Sequence, residues 1–256
     1  MSWNPFSRSS SSVPKKSVLS RTAQRDFERE VKRLDELEEL TRRLYKDGKR
    51  MTEANNALAK TERKLTQDLL PTPLCQSEDE FRSQIEGWDS ALVKMDMHMT
   101  DLNVVVHRTV LEPLKKFVSM FPYAQVAVKK RDQALQEFQK CQDKVNKYQD
   151  RDRTGQNVVK LSSSKKALTS AQADFTSQNN SVCEDIPKMI ENRADYFQPS
   201  LEALIKSQVQ YTTEAVKVYG ELSNTMNGHR EHSKHDYKSQ VQQGLAELRS
   251  LAITTD

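Results

Sequence analysis

Apolar residues along this chain recur at steps of three, four and seven over three long stretches, the spacing of one face of an α-helix. The first stripe runs Phe27, Val31, Leu34, Leu37, Leu44, Met51, Leu58, Leu65 and Leu69. It begins near Thr22 and ends at Pro71 and Pro73, which cannot continue a helix. The steps missing from it fall on Thr41, Gly48, Asn55 and Glu62, small or polar residues that weaken a seam but leave its direction intact. The second stripe follows a capping-box pattern at Ser77 and Glu80 and runs Phe81, Ile85, Trp88, Leu92, Met95, Met99, Leu102 and Val106. It passes Pro113 and Pro122 and resumes as Val128, Leu135, Phe138, Val145 and Tyr148. The third starts near Asn157 and carries Leu161, Leu168, Phe175, Val182, Ile186, Phe197, Leu201, Leu204, Tyr211, Val218 and Leu222. A short amphipathic stretch, Val241, Leu245, Leu248 and Leu251, closes the chain and reads as a fraying or docked terminal helix.

These stripes predict an all-α fold, an elongated, kinked three-helix antiparallel coiled coil, with a turn at Asp150 to Gly155 between the second and third helices. Measured from that turn, Pro122 and Pro187 sit nearly level, and so do Pro113 and Pro199. A proline inside a helix removes a hydrogen bond and bends the axis, so level prolines bend a rod rather than break it. An unbroken second helix from about 78 to 149 would be roughly 110 Å long at 1.5 Å per residue. Stripes of that length need partners at both ends, which a homodimer supplies. The expected organisation is a basic, Ser-rich segment over 1–21, the helical domain over 22–227, and a polar tail with its short amphipathic helix over 228–256.

Composition supports a narrow core: 30% of residues are charged and only 6 are glycine. No stretch approaches the roughly 18 apolar residues of a membrane span, and Met1 to Phe6 lacks the apolar centre of a signal peptide. Cys75, Cys141 and Cys183 are far apart and odd in number, as reduced cytosolic thiols would be. Charge is unevenly placed. The stretch from Lys129 to Lys166 holds eleven basic residues, Lys129, Lys130, Arg131, Lys140, Lys144, Lys147, Arg151, Arg153, Lys160, Lys165 and Lys166, against five acidic ones. That excess exceeds the +4 of the whole chain. Lys140, Lys144 and Lys147 share one helical face. A basic tip on a helical rod suits anionic phospholipid headgroups at about 1 kcal/mol per charge, screened by salt. The competing reading is a solvated surface with local ion pairs. Aromatic residues are not interleaved with these lysines, which argues against nucleic acid.

Signals for chemistry are absent. His229, His232 and His235 have no nearby Cys and few carboxylates to complete a metal site. No phosphate-binding glycine loop, nucleophile elbow or paired catalytic carboxylates occur, so neither an enzyme nor a cofactor is expected.

Several segments resemble the bridging integrator and amphiphysin group of N-terminal BAR proteins, and its short BAR-only branch in particular. They are Met1 to Phe6 (MSWNPF), Arg25 to Glu30 (RDFERE), Thr41 to Leu44, Leu111 to Phe117 (LEPLKKF) and Asp195 to Ser200 (DYFQPS). The resemblance implies a crescent-shaped homodimer, or a pair with a related BAR chain, whose basic surface meets curved anionic membrane. It implies a cytoplasmic, cytoskeleton-associated peripheral membrane protein linked to actin-associated proteins, Rho-family GTPases, cytokinesis and endocytic traffic. Carried over by position, the membrane-facing basic residues match Lys129, Lys130, Arg131, Lys160, Lys165 and Lys166. The group's amphipathic N-terminal helix corresponds to a Ser-rich stretch broken by Pro14. There Trp3 and Phe6 could dip into headgroups with Lys15 and Lys16 on the lipid surface. A protein-interaction rod for a GTPase or cytoskeletal partner is the alternative function, and a spectrin-like repeat the alternative fold.

Overall fold

The computed structural model of the protein describes residues 18–227 and 234–251, and among these there is no strand. Helix α1 spans Arg21–Leu69, about 74 Å at 1.5 Å per residue. Ion pairs one turn apart line its surface, among them Arg29 with Asp26, Arg33 with Glu30, Arg42 with Glu38 and Lys64 with Asp68. All have exposed members, so each adds only a few tenths of a kcal/mol. A one-turn helix, α2 (Pro73–Ser77), follows, with the Thr72 hydroxyl accepting from the Cys75 amide. Helix α3 (Asp79–Val106) has Glu78 at its N-cap without a side-chain cap bond. The capping box expected at Ser77 does not form, because the Ser77 hydroxyl is turned back onto the Leu74 carbonyl.

The second stripe is not one unbroken helix. After α3 comes a π-helical turn, His107–Leu111, then α4 (Glu112–Val118), a tight turn at Ser119 and Met120, and α5 (Phe121–Gln149). The wide turn lies just before Pro113, which has no N–H for the Thr109 carbonyl. Pro122 sits in the first turn of α5, where a missing N–H costs nothing. Helix α6 (Gly155–Glu191) runs through Pro187, breaks at Asn192, and is succeeded by α7 (Arg193–Asn227), which contains Pro199. The expected 110 Å helix is therefore two helices of about 42 and 44 Å with a jointed segment between them. Helix α8 (Lys234–Arg249) is the last.

The helices fall into two compact units. The first comprises the chain up to Lys46 with Glu112–Pro199. Its core joins Phe27, Leu34 and Leu37 of α1, Phe117, Phe121 and Val128 of α4 and α5, and Val182, Ile186 and Ile190 of α6. Toward the α5–α6 turn, Phe138 stacks on Phe175 at 5.8 Å, and Val18 and Leu19 pack beside them. That contact, with Arg131 bonded to Asn179, sets an antiparallel register that puts Pro122 level with Pro187. Further along, Phe117 meets Tyr196 and Phe197 at 5.1 and 4.9 Å, and the Tyr196 hydroxyl donates to the Pro113 carbonyl at 3.0 Å. The LEPLKKF and DYFQPS segments are thus the two halves of one aromatic joint, which also keeps Pro113 near the level of Pro199.

The second unit comprises Asp47–Leu111 and the chain from Ser200. Ala91 and Met95 of α3 pack with Val218, Tyr211, Ala215 and Leu222 of α7. Here α1 presents its small and polar residues inward. An added Cβ on Gly48 would lie 2.8 Å from Leu111 Cδ2, Asn55 donates to Asn103, and Ala59 and Thr66 are buried. The leucines read as the core stripe, Leu58 and Leu65, are about half exposed, as is Leu44 in the first unit. This corrects the expected seam: close approach of helices selects Thr41, Gly48, Ala59 and Thr66, and leaves the leucine stripe on the outside.

Candidate functional site

The buried side of α5 carries Val128, Arg131, Ala134, Phe138, Cys141 and Val145. At 100° per residue, Lys129, Lys140 and Lys147 fall within about 20° of one another on the opposite side, with Lys144 about 60° away. These four and Lys130 are exposed. Lys140 lies 3.7 Å from Glu137 with both side chains mostly in solvent, a weak pair. Beyond α5 the chain turns tightly, with the Thr154 amide donating to the Asp152 carbonyl and Asn157 Nδ2 donating to the same oxygen. The Thr154 hydroxyl caps α6 by accepting from the Asn157 amide. Arg151 and Arg153 are exposed in this turn, and Arg151 lies 5.4 Å from the Tyr148 ring centroid. Lys160, Lys165 and Lys166 are exposed on α6. The α5–α6 register sets Lys165 and Lys166 level with Lys144 to Lys147, so the hairpin gathers these basic residues at one end of the first unit.

Arg131 departs from the expectation. It is only 1% exposed. Its Nε donates to Asn179 Oδ1 at 3.0 Å, and its terminal nitrogens donate to Asp132 at 2.9 Å and Gln24 at 3.1 Å. The guanidinium carbon sits 3.9 Å from the centre of the Phe27 ring. This side chain ties α1, α5 and α6 together and cannot reach a lipid headgroup. The sequence signal was present: Arg131 lies three residues after Val128 and seven before Phe138, on a step of the apolar stripe.

Trp3, Phe6, Lys15 and Lys16, expected at the membrane, lie outside the described residues, as do His229 and His232. Among the described residues no group of His, Cys, Asp and Glu is arranged to hold a metal. No helix among them is long and apolar enough to cross a membrane.

The second unit bears a different kind of surface, which sequence reading anticipated only as a need for partners. Each of its long helices carries an exposed apolar stripe besides the buried one. These are Leu58 and Leu65 on α1, Val93, Met97 and Val104 on α3, and Leu201, Ile205, Val209 and Val216 on α7. Met97 is 66% and Val216 74% exposed, values unusual for residues at regular helical spacing.

The first unit pairs antiparallel helices across a basic hairpin, and the second leaves apolar stripes exposed. The chain belongs to the BAR domain family, whose sequence model matches residues 4–228. It is 40% identical over 256 residues to mouse Bridging integrator 3, covering the whole of both chains. It is 26% identical to the fission yeast Protein hob3, covering 99% of this chain and 97% of that one. Among solved structures, the Drosophila amphiphysin BAR domain superposes with a TM-score of 0.62 at 18% identity, over 82% of this chain and 97% of that one. Like other members of this family the chain is a structural adaptor and not an enzyme.

Proposed function

We propose that the protein is a homodimeric, peripheral scaffold for curved anionic membrane, acting on the cytoplasmic side and linking that membrane to the actin cytoskeleton. The observation that carries the lipid half is the placement of the basic residues. Lys129, Lys140 and Lys147 lie on the face of α5 opposite its core, and Lys144, Arg151, Arg153, Lys160, Lys165 and Lys166 crowd the same hairpin end. Lysine stems are long enough to settle against headgroups while their ammonium groups stay hydrated. Lys130 joins this set; Arg131 does not.

The dimer half rests on the apolar stripes of the second unit. Three helices with exposed leucine, valine, isoleucine and methionine at heptad-like spacing match what a second copy of the same surface can cover. BAR domains form homodimers and bind membranes. The links to Rho-family GTPases and actin-associated proteins, in cytokinesis and endocytic traffic, follow from the family resemblance.

Sedimentation with anionic vesicles at low and high salt tests the reading. Reversing Lys140, Lys144 and Lys147 to Glu should weaken binding by about 3 kcal/mol or more, at about 1 kcal/mol per basic residue, which is over a hundredfold. Binding by the wild type that ignores both salt and the reversals would refute it and favour the protein-interaction rod.

A further inference from the structure

Helix α8 was expected to fray or to dock. The structure shows neither: it is a regular helix over Lys234–Arg249 with its apolar side chains outside. Val241 is 70% exposed, Leu248 59% and Leu245 45%. Gly244 lies on the same side, and a Cβ added there would meet nothing within 4 Å, so this flank of the helix is open space.

At 100° per residue, Gly244, Leu248, Val241 and Leu245 occupy an arc of about 100°. Lys238 and Arg249, eleven residues apart, both fall just past the Leu245 edge of that arc, within about 20° of each other. Glu247 falls about 60° past the opposite, Gly244 edge, where Gln243 donates to it at 3.1 Å. Ser239, Gln240, Gln242 and Gln243 in the middle of the helix are uncharged, and its first turn holds Lys234, His235 and Asp236. Apolar groups on one arc, with Lys238 and Arg249 at one border and Glu247 beyond the other, give the charge order of a helix lying in the headgroup layer of an anionic bilayer.

A protein occupant fits less well. Val241, Leu245 and Leu248, with Tyr237 and Leu251 at the two ends of the stripe, still fall short of the roughly 800 Å² per partner that stable protein interfaces bury. A bilayer needs no matching surface, only apolar groups that enter the acyl boundary.

We infer that α8 is a second membrane-contacting element, an interfacial amphipathic helix whose Val241, Leu245 and Leu248 insert into loosely packed lipid. The inference rests on the membrane reading above but names a different physical term. The hairpin lysines supply salt-sensitive attraction. Helix α8, whose three basic and two acidic residues leave a net charge of only +1, supplies salt-resistant insertion that favours highly curved bilayers, where headgroups are spread apart.

The test uses the full chain and vesicles of phosphatidylcholine with phosphatidylserine, small sonicated or large extruded, at low salt and at about 1 M salt, where the screening length is about 3 Å. Wild type, Leu245→Asp/Leu248→Asp and Gly244→Leu are compared, with circular dichroism confirming equal folding. At high salt the wild type should still bind small vesicles better than large ones. The double variant should lose roughly tenfold or more of that binding, and Gly244→Leu, which widens the apolar arc, should gain several-fold. At low salt the double variant should keep the lysine-dependent binding. A wild type that binds no vesicles at low salt overturns the membrane reading itself. Low-salt binding as proposed, with high-salt binding absent or equal in wild type and double variant, overturns the role of α8 alone. A double variant whose sedimentation mass drops while its high-salt vesicle binding is unchanged assigns α8 to a second copy of the chain, and this inference fails.

Discussion

Arg131 separates two readings of the same basic cluster. If it belonged to a lipid surface, removing it would weaken vesicle binding and leave the fold alone. The structure requires the reverse. In Arg131→Ala the amide oxygens of Asn179 and Gln24 each lose a charged donor, worth about 1 kcal/mol apiece since both acceptors are partly exposed. The bond to Asp132 is discounted because that carboxylate is 48% exposed. Loss of a desolvated guanidinium from the Phe27 ring costs about 1–2 kcal/mol, and loss of the buried stem about 1 kcal/mol more. The expected destabilisation is about 4 kcal/mol, a large fraction of the roughly 5–15 kcal/mol of a folded domain. With a denaturant slope of about 3 kcal/mol per molar urea, the midpoint should fall by more than 1 M. Unfolding followed by circular dichroism at one fixed protein concentration measures this. Lys130→Ala, one residue away and exposed, should shift by about 0.5 kcal/mol at most. Arg131→Met keeps the stem and should recover part of the loss. Equal midpoints for Arg131→Ala and Lys130→Ala would refute the buried tie, as would folded Arg131→Met binding vesicles as poorly as a hairpin lysine reversal.

Other outcomes follow from other sites. Leu58→Asp with Val216→Asp places charges on two exposed apolar stripes of the second unit, and should convert a dimer to monomer in sedimentation equilibrium. Gly48→Val drives two methyl groups toward buried Leu111 and should cost about 1–3 kcal/mol, read as a lower melting temperature. Thr66→Val leaves its shape but removes the hydroxyl that bonds Asp89 at 2.5 Å, and should cost about 1–2 kcal/mol. Maleimide should label exposed Cys183 in the native protein and spare Cys75 and Cys141. Cys141 is doubly protected, since burial, and then the Glu137 carboxylate, push its thiol pKa up.

The helical stretches, their antiparallel order and the level prolines could be read from spacing alone, because apolar steps of three and four report a helix wherever its buried face lies, but not where each stretch breaks. The chemistry of that face was harder to read. Lys129, Lys130 and Arg131 are one basic triplet in sequence, but successive residues turn by about 100°, so the three point in different directions and each must be placed against the core separately. Arg131 was the one on the stripe. Composition made the triplet look like a surface, and only register distinguishes its members. The jointed segment from His107 to Met120 escaped for another reason. Prolines announced a disturbance there, but whether a helix bends through a wide turn or stops and restarts depends on side chains that arrive from α7, notably Tyr196 and Phe197 against Phe117.

The leucines of α1 show how a correct pattern can be assigned to the wrong partner. Leu44, Met51, Leu58 and Leu65 form an unbroken heptad, and hydrophobicity alone makes them the core. Within one chain the inward positions are instead Thr41, Gly48, Ala59 and Thr66, because helices that approach closely need small side chains between them. A sequence that supplies two parallel stripes, one small and one large, specifies two contacts rather than one weakened contact. The small stripe closes the chain on itself. The leucines of the large one are left over, and so are the exposed stripes of α3 and α7. Leaving that much apolar area in water would disfavour an isolated chain, at about 25 cal/mol per Å². The proposed dimer would cover the exposed stripes of α1, α3 and α7. It also frees the hairpin lysines of the first unit from any part in assembly, so charge reversal there should alter lipid binding without altering sedimentation mass.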